Sequence, residues 1–274
     1  PDIMSRILLC LAAALFLAGT ARAAQPSSKD APQPSSWKLV WSDEFDYQGL
    51  PAAEKWDYEV GMIRNREAQY YTRARSENTR VENGQLIIEA RQEDYQKAKY
   101  TAGSLMSQTE WKFGRIEVRA KLPTGRGMWP AIWMMPGNRT GGWPACGEID
   151  IMENVGFDPD VIHGTVHTKA YNHTIGTQKG GKIEVVKPYD DFHLYAIEWD
   201  EQKIDFFVDD TMYFTFRNEC TGSNEWPFDK AFHLKLNIAV GGSWGGQKGI
   251  DDNVFPQQMV VDYVRVYQRG AAVQ

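Results

Sequence analysis

The chain has 274 residues, of which 42% are hydrophobic and 24% are charged. This composition is ordinary for a soluble globular protein, and all-β folds often run to roughly 200–250 residues as one domain. The formal net charge is −6 and no long basic run occurs, so a nucleic-acid partner is not expected.

Residues 1–23 have the pattern of a secretory signal peptide. Arg6 supplies a positive start, Ile7 to Gly19 is apolar, and Ala21-Arg22-Ala23 fits an A-x-A cleavage site. The apolar run is too short to span a bilayer as a helix. We therefore predict a secreted or periplasmic protein that has no membrane association after the signal peptide is cleaved.

Residues 24–36 are predicted to be a disordered linker, because three prolines and several serines fall in this short segment. From residue 37 onward the sequence favours strands, and we place one folded domain at residues 37–270. Asn83-Gly84 is a typical hairpin turn between two of these strands.

The predicted strands follow one another at regular intervals with turn signals between them. Their ranges are Trp37–Trp41, Gln85–Arg91, Gly114–Leu122, Met128–Met135, Ile149–Glu153, Ile162–Thr168, Leu194–Trp199, Ile204–Val208, Leu234–Val240 and Val260–Tyr267. This pattern predicts an all-β fold, either a β-sandwich or a jelly roll. The charged face of Gly114–Leu122 could either face solvent or line a cleft.

The stretch from Gly147 to Asn154 carries three acidic residues, Glu148, Asp150 and Glu153. Because successive side chains of a strand point to opposite faces, Glu148 and Asp150 share one face. Strict alternation would send Glu153 to the core side. A β-bulge near Ile151-Met152 would add one residue and bring all three acids to one cleft.

Crowded carboxyl groups repel one another and raise each other's pKa, so folding alone does not require this arrangement. Retaining glycoside hydrolysis does require it, since that reaction needs two carboxyl groups roughly 5–5.5 Å apart. Two simpler interpretations of the stretch stay open, namely an acidic edge strand and a cation site.

Tryptophan is abundant, with 10 residues, and four of them lie beside glycine or proline: Trp129, Trp133, Trp143 and Trp244. Each could belong to the core, but an aromatic face also stacks on the apolar face of a sugar.

His163 and His167 are four residues apart on a predicted strand, so both point to one side. Metal binding is one interpretation, but no cysteine or third histidine is placed to complete a zinc site. Hydrogen bonding near the acids is the simpler role, with His167 facing the cleft from a neighbouring strand.

Four motifs occur in the order seen in family 16 glycoside hydrolases: WPAIW at 129–133, EIDIME at 148–153, HGTVH at 163–167 and AVGGSW at 239–244. The chain from Trp37 to Gln268 therefore resembles that family, and within it the bacterial laminarinases, which are endo-β-1,3-glucanases. The shorter E-x-D-x-E motif is typical of lichenases and xyloglucan transferases, so this sequence leans away from them.

The resemblance implies a β-jelly roll with a long open cleft and makes residues 37–270 the catalytic domain. It implies that Glu148 is the nucleophile and that Glu153 is the general acid/base. Asp150, between them, is implied to fix how protons are distributed over the two glutamates. No catalytic cofactor is needed, because the acids do the chemistry. The implied partner is a β-glucan polysaccharide, and we expect a monomer.

The resemblance also implies residues that contact the glucan or a cation. The loop at Asn65 resembles a glucan-contacting loop, and the implied sugar-binding residues are Asn65, Trp129, Trp133, His167 and Trp244. Members of the family often bind a structural calcium away from the acids. The matching oxygen donors are Glu44, the Gly84 carbonyl and Asp262, which suit a hard cation.

Three functions are consistent with the sequence. The first is an exported retaining endo-β-1,3-glucanase. The second is a related enzyme, either a mixed-linkage β-1,3-1,4-glucanase, a galactan hydrolase such as an agarase, or a transglycosylase. The third is a non-catalytic glucan-binding module, which is disfavoured because such a module has no use for a crowded acidic strand. Fold alone does not separate these functions.

Overall fold

The structure, a computed structural model, describes residues 37–270, so the predicted signal peptide and linker lie outside the described residues. Nearly all regular structure in this range is strand, with one short 3₁₀ helix at Asp252–Val254. None of the helices among residues 37–270 is long and apolar enough to cross a bilayer. The strands are β1 (Trp37–Asp43), β2 (Trp56–Tyr58), β3 (Gln69–Tyr71), β4 (Thr79–Glu82), β5 (Gln85–Tyr95), β6 (Ala98–Ala102), β7 (Ser104–Trp111), β8 (Gly114–Lys121), β9 (Met128–Met135), β10 (Glu148–Val155), β11 (Asp158–His167), β12 (Lys179–Glu184), β13 (His193–Trp199), β14 (Lys203–Val208), β15 (Thr211–Arg217), β16 (Phe232–Val240) and β17 (Gln257–Arg269).

The strands form two sheets. The ten-stranded sheet runs in the order β15-β14-β13-β8-β17-β5-β6-β3, with β1 beside β17 and β4 beside β5, and the seven-stranded sheet runs β12-β11-β10-β9-β16-β7-β2. A single large core cluster takes buried residues from both, for example Val118 and Ile197 from the ten-stranded sheet and Ile132 and Leu236 from the other. Two sheets that bury their facing sides against each other form a β-sandwich, as the sequence predicts.

All ten predicted strands are present, with ends that differ by a few residues. The predicted hairpin turn is also confirmed, because Asn83 and Gly84 both have positive φ, at 54° and 76°. Seven strands were not predicted: β2, β3, β4, β6, β7, β12 and β15. Strands β2, β3 and β4 are only three or four residues long, and β12 contains two glycines. In these four strands the alternation of apolar and polar residues is too short or too weak to detect.

The charged face of β8 lies on the outside of the ten-stranded sheet and not in a cleft. Its apolar residues Ile116 and Val118 enter the core between the sheets. On the opposite face Arg115 pairs with Glu198 at 3.0 Å and Arg119 pairs with Asp262 at 2.7 Å. The interpretation of this face as a cleft lining is therefore wrong. The face lies on the outer side of the sheet, but its arginines are only partly exposed and its Glu117 is buried.

Candidate active site

Strand β10 contains the predicted β-bulge. Against β11, Asp150 lies opposite Thr165 and Glu153 lies opposite His163. Moving three residues along β10, from Asp150 to Glu153, therefore corresponds to moving two residues along β11, from Thr165 to His163. Strand β10 thus carries one extra residue. The register against β9 also shifts, between Asp150 and Met152.

The bulge decides where Glu153 points. Ile151 and Met152 are adjacent in sequence, yet both are buried in the core, at 1% and 0% exposure. Two consecutive core-facing residues reset the alternation, so Glu153 returns to the face that carries Glu148 and Asp150. The acid cluster, defined as Glu148, Asp150 and Glu153, thus lines one cleft.

The cleft lies on the face of the seven-stranded sheet that turns away from the core, and its volume is about 960 Å³. Its floor is built by β9, β10, β11 and β16, and its rim by loops that include residues 63–67 and 243–247. Every sequence-predicted catalytic and sugar-contacting residue lines it, namely Glu148, Asp150, Glu153, Asn65, Trp129, Trp133, His167 and Trp244.

Glu148 is held by a loop residue. Trp143 donates its indole N–H to Oε2 of Glu148 at 2.8 Å, and the Trp143 ring lies 4.9 Å from the ring of His173. Burial first, and the charge of Asp150 second, raise the pKa of Glu148 to about 8 against the opposing effect of the Trp143 hydrogen bond. Trp143 therefore stabilises the ionised form of this carboxyl group.

Asp150 is the most buried member of the acid cluster, with 3% exposure. Burial raises its pKa to about 7, and its bond to Glu148 opposes that shift. Nε2 of His167 lies 3.3 Å from Oδ2 of Asp150. Asp150 thus lies between Glu148 and the imidazole of His167.

Glu153 occupies the other end of the acid cluster. Trp129 donates its indole N–H to Oε1 of Glu153 at 3.0 Å. Burial first, and the charge of Asp150 second, raise the pKa of Glu153 well above its ordinary range. Trp129 also packs edge-on against Trp244, at 5.7 Å between ring centroids, and His163 packs against the same Trp244 ring at 5.0 Å.

Trp133 is fixed from several sides. Its indole N–H donates to Oδ1 of Asn237 at 2.8 Å. The Lys235 ammonium lies 4.1 Å from the ring centroid and the Arg64 guanidinium 4.9 Å from it. Both cations also bind Glu59, and Arg64 does so at 2.7 Å. The predicted sugar platform is therefore a ring whose position is set by a buried charge network.

Asn65 lies at the exposed rim of the cleft with a φ of 52°. Its side chain donates to Oε1 of Glu67 at 3.2 Å, and its carbonyl accepts from the backbone N–H of Ser243 at 2.9 Å. The first bond lies within the loop before β3, and the second ties that loop to the loop after β16, which carries Trp244. Asn65 therefore holds two rim loops together at the predicted substrate face.

The predicted calcium donors lie directly after β1, in the turn between β4 and β5, and in β17. Their carboxylates, however, are already paired with arginines. Arg265 binds both oxygens of Glu44 at 2.9 Å, and Arg119 binds Asp262 at 2.7 Å. With two guanidinium groups in place, Glu44, Gly84 and Asp262 do not fit a calcium site as they are arranged here, and the calcium stays a prediction.

Several cleft residues were missed in the sequence. They are His173, which packs on Trp143 beside Glu148, and Glu59, Arg64 and Lys235 around Trp133. Trp143 itself was noted in the sequence only as a core or sugar-stacking ring. Lys235 did carry a signal, because a single lysine interrupts the apolar run FHLKLNIAV and buried lysines are rare unless paired. The others lie outside the recognised motifs, on loops or at strand ends.

Comparison with known proteins identifies relatives across the whole domain. A model of the family described as "Glycosyl hydrolases family 16" matches residues 66–265. The chain is 60% identical over 244 residues to a beta-glucanase of Rhodothermus marinus, covering 85% of each protein. The X-ray structure of the laminarinase from Rhodothermus marinus superposes with a TM-score of 0.84 at 58% identity, covering 85% of this chain and 98% of that one.

A second solved structure, of a mutant form of SCLam, has a TM-score of 0.83 and 49% identity, and covers 86% of this chain and 96% of that one. SCLam is described as a non-specific endo-beta-1,3(4)-glucanase, and that structure has 1,3-beta-D-cellobiosyl-glucose at its active site. These matches confirm the predicted jelly-roll sandwich as the fold class.

Proposed function

The chain belongs to glycosyl hydrolases family 16, and from this premise we propose that it is an endo-β-1,3-glucanase that cleaves laminarin-like glucans with retention of configuration. The relatives with laminarinase and beta-glucanase activity support the substrate class. The observation that carries the mechanism is the bulge in β10, which puts Glu153 on the same face as Glu148 and Asp150.

In the proposed mechanism Glu148 is the nucleophile. Its carboxylate attacks the anomeric carbon, the glycosidic C–O bond breaks, and a covalent glycosyl-enzyme forms. The Trp143 N–H supports this role, because a hydrogen bond to the ionised form keeps a half-buried carboxylate available for attack.

Glu153 is the proposed general acid/base. It protonates the departing sugar oxygen in the first step and takes a proton from the attacking water in the second. Burial first, and the charge of Asp150 second, raise its pKa well above the ordinary range, which favours the protonated form that a general acid needs. Unequal environments thus give two glutamates two different roles.

Asp150 is proposed to control where the protons reside. A carboxyl oxygen of Asp150 lies within 4.8 Å of one of Glu148, so the two carboxyl groups can share one proton. When Asp150 carries that proton, Glu148 is ionised and ready to attack. The pair titrates as a unit, so its apparent pKa values belong to both residues.

Trp129, Trp133, Trp244, His167 and Asn65 are proposed to contact the glucan along the cleft. Aromatic faces suit the apolar face of a pyranose ring, and the N–H groups of Trp129 and Trp133 are already committed to Glu153 and Asn237. The reaction needs no cofactor, because the carboxyl groups supply both nucleophile and acid.

Export, a monomeric state and a structural calcium are further parts of the proposal. Export rests on the signal-peptide pattern of residues 1–23. Calcium at Glu44, Gly84 and Asp262 would have to displace Arg265 and Arg119 from their carboxylates. A rise in melting temperature when calcium is added to chelator-treated protein would support that site.

A mixed-linkage glucanase is the second candidate, and it is supported by the likeness to the non-specific endo-beta-1,3(4)-glucanase SCLam. The deciding experiment measures reducing-sugar release from laminarin, lichenan and agarose, with the anomeric configuration of the first product followed by NMR. The proposal expects fastest release from laminarin and an initial β-anomer. Faster release from lichenan would favour the second candidate, and an initial α-anomer would exclude the retaining mechanism.

A further inference from the structure

Three groups in the cleft that take part in the proposed hydrolysis also form a possible metal-binding arrangement. Glu148, Asp150 and His167 each present one oxygen or nitrogen atom, and these atoms all lie within 4.8 Å of one another. Two carboxylates and an imidazole form a donor set typical of divalent transition metals. Three nearby donors alone are common on protein surfaces, so the contacts of each atom decide the matter.

The contact between His167 and Asp150 has the spacing of two metal ligands. Nε2 and Oδ2 are 3.3 Å apart, yet they are not aligned for a hydrogen bond, and Oδ2 finds no hydrogen-bond partner within residues 37–270. Two ligands of a tetrahedral ion bound at about 2.0–2.1 Å lie about 3.3–3.4 Å apart. The two atoms are therefore spaced like an edge of a tetrahedral site.

Burial makes the unpartnered oxygen significant. Asp150 is 3% exposed and His167 is 6% exposed, so water can satisfy these atoms only from the cleft side. A buried acceptor without a hydrogen-bond partner destabilises the folded protein, because it has lost its contacts with water. A cation placed between Oδ2 and Nε2 would remove that cost and would also offset the repulsion between the carboxylates.

We propose that Glu148, Asp150 and His167 bind one divalent transition-metal ion of the Zn²⁺ type at the floor of the cleft. Asp150 and His167 form two corners of the site as they stand. Rotation of the half-buried Glu148 side chain supplies the third, and water from the open cleft fills the fourth. Calcium and magnesium bind more weakly, because they prefer six or more oxygen ligands.

The ion occupies the carboxylates on which hydrolysis depends, so it is an inhibitor and not a cofactor. It also replaces the protons of Glu148 and Asp150, and its affinity therefore rises with pH. Inhibition rests on the proposed function, whereas the metal site itself does not. Binding can be measured without any glucan, so the two ideas fail independently.

The test is calorimetric titration of the intact protein with ZnCl₂ in the absence of substrate. We expect one site per chain, and His167→Gln should weaken Zn²⁺ binding about ten-fold or more. His163→Gln is the matched control, because His163 lines the same cleft but packs on Trp244. It should leave Zn²⁺ affinity unchanged, as should Cys220→Ser, which removes the exposed thiol.

Asp150→Asn is the second test variant, because it tests the site even if His167→Gln lowers stability. Co²⁺ in place of Zn²⁺ reports the geometry, since tetrahedral Co²⁺ absorbs visible light far more strongly than octahedral Co²⁺. Loss of that absorption in His167→Gln or Asp150→Asn, but not in His163→Gln, would support the site. Absence of Zn²⁺ binding, or binding that survives both substitutions, would overturn it.

Discussion

Trp143 donates its indole N–H to Glu148 across 2.8 Å, from a loop that precedes the strand carrying the acids. This bond lowers the pKa of Glu148 against the opposing effects of burial and of Asp150. A partly exposed tryptophan, 37% accessible, thus lies in direct contact with the proposed nucleophile. The pKa of Glu148, on the cleft floor, therefore depends on the position of Trp143, on the rim.

Trp143→Phe removes that donor and keeps an aromatic ring. A hydrogen bond to a charged group is worth roughly 1.5–3 kcal/mol, so kcat on laminarin should fall about ten-fold or more. The acidic limb of the pH profile should also move to higher pH, because the carboxylate loses its stabilising donor. Trp37→Phe, on the ten-stranded sheet, is the control and should change neither kcat nor the acidic limb of the pH profile. An unshifted acidic limb in Trp143→Phe would contradict this role.

Glu153→Ala should affect substrates unequally. An aryl glucoside with a good leaving group needs no proton in the first step, so its cleavage should survive far better than laminarin hydrolysis. Added azide should accelerate turnover of the aryl substrate by attacking the glycosyl-enzyme in place of activated water. Glu148→Gln should abolish turnover of both substrates while glucan binding persists. Equal losses on both substrates in Glu153→Ala would rule out the acid/base assignment.

Asp150→Asn should shift the alkaline limb of kcat/KM to lower pH. The negative charge of Asp150 raises the pKa of both Glu148 and Glu153, so its removal lets Glu153 lose its proton sooner. The measurement is a pH profile of laminarin hydrolysis from about pH 4 to 10. Asp190→Asn, at an exposed site, should keep the wild-type profile. A shift of the alkaline limb to higher pH would show that the charge of Asp150 acts in the opposite direction.

Glu148 should make the folded protein less stable as pH rises. Its pKa is raised from 4.5 to about 8 on folding, so the folded state holds a proton that the unfolded state has lost between these values. Its contribution to stability is complete below pH 4.5 and is lost as pH rises through about 8. From about pH 5 to 8, Glu148→Gln should therefore gain on the order of 2 kcal/mol in unfolding free energy relative to wild type.

Denaturant unfolding at several pH values measures this difference. Glu54→Gln, at an exposed position, is the control and should follow the wild-type curve. If the difference in unfolding free energy between Glu148→Gln and wild type stays constant from about pH 5 to 8, the Glu148 carboxyl group is ionised in the folded protein throughout that range.

Lys235→Met tests how Trp133 is positioned. Lys235 is 1% exposed and lies over the Trp133 ring, and methionine keeps much of its volume without the charge. We expect KM for laminarin to rise several-fold while kcat changes less than about two-fold, because Trp133 is a proposed sugar-binding ring and supplies no group that makes or breaks a bond. Lys203→Met, on the ten-stranded sheet, is the matched control. A fall in kcat with unchanged KM would place Lys235 in the chemistry instead.

Local sequence patterns were sufficient for the sandwich and for the acid cluster. Apolar and polar residues alternate along β8 and β16, which is why both strands were predicted nearly to their ends. The bulge in β10 was predictable as well, since Glu153 breaks the parity set by Glu148 and Asp150 and a buried lone carboxylate would be costly.

The partners of those acids came only from the tertiary structure. Trp143 and His173 reach the cleft from loops on either side of the β10–β11 hairpin, while Lys235 and Glu59 meet across 176 positions of sequence. Strand periodicity determines which face a side chain occupies, but the neighbours it meets there depend on how strands pair and loops fold back. Those arrangements are set by packing over the whole domain, so no local pattern in the sequence records them.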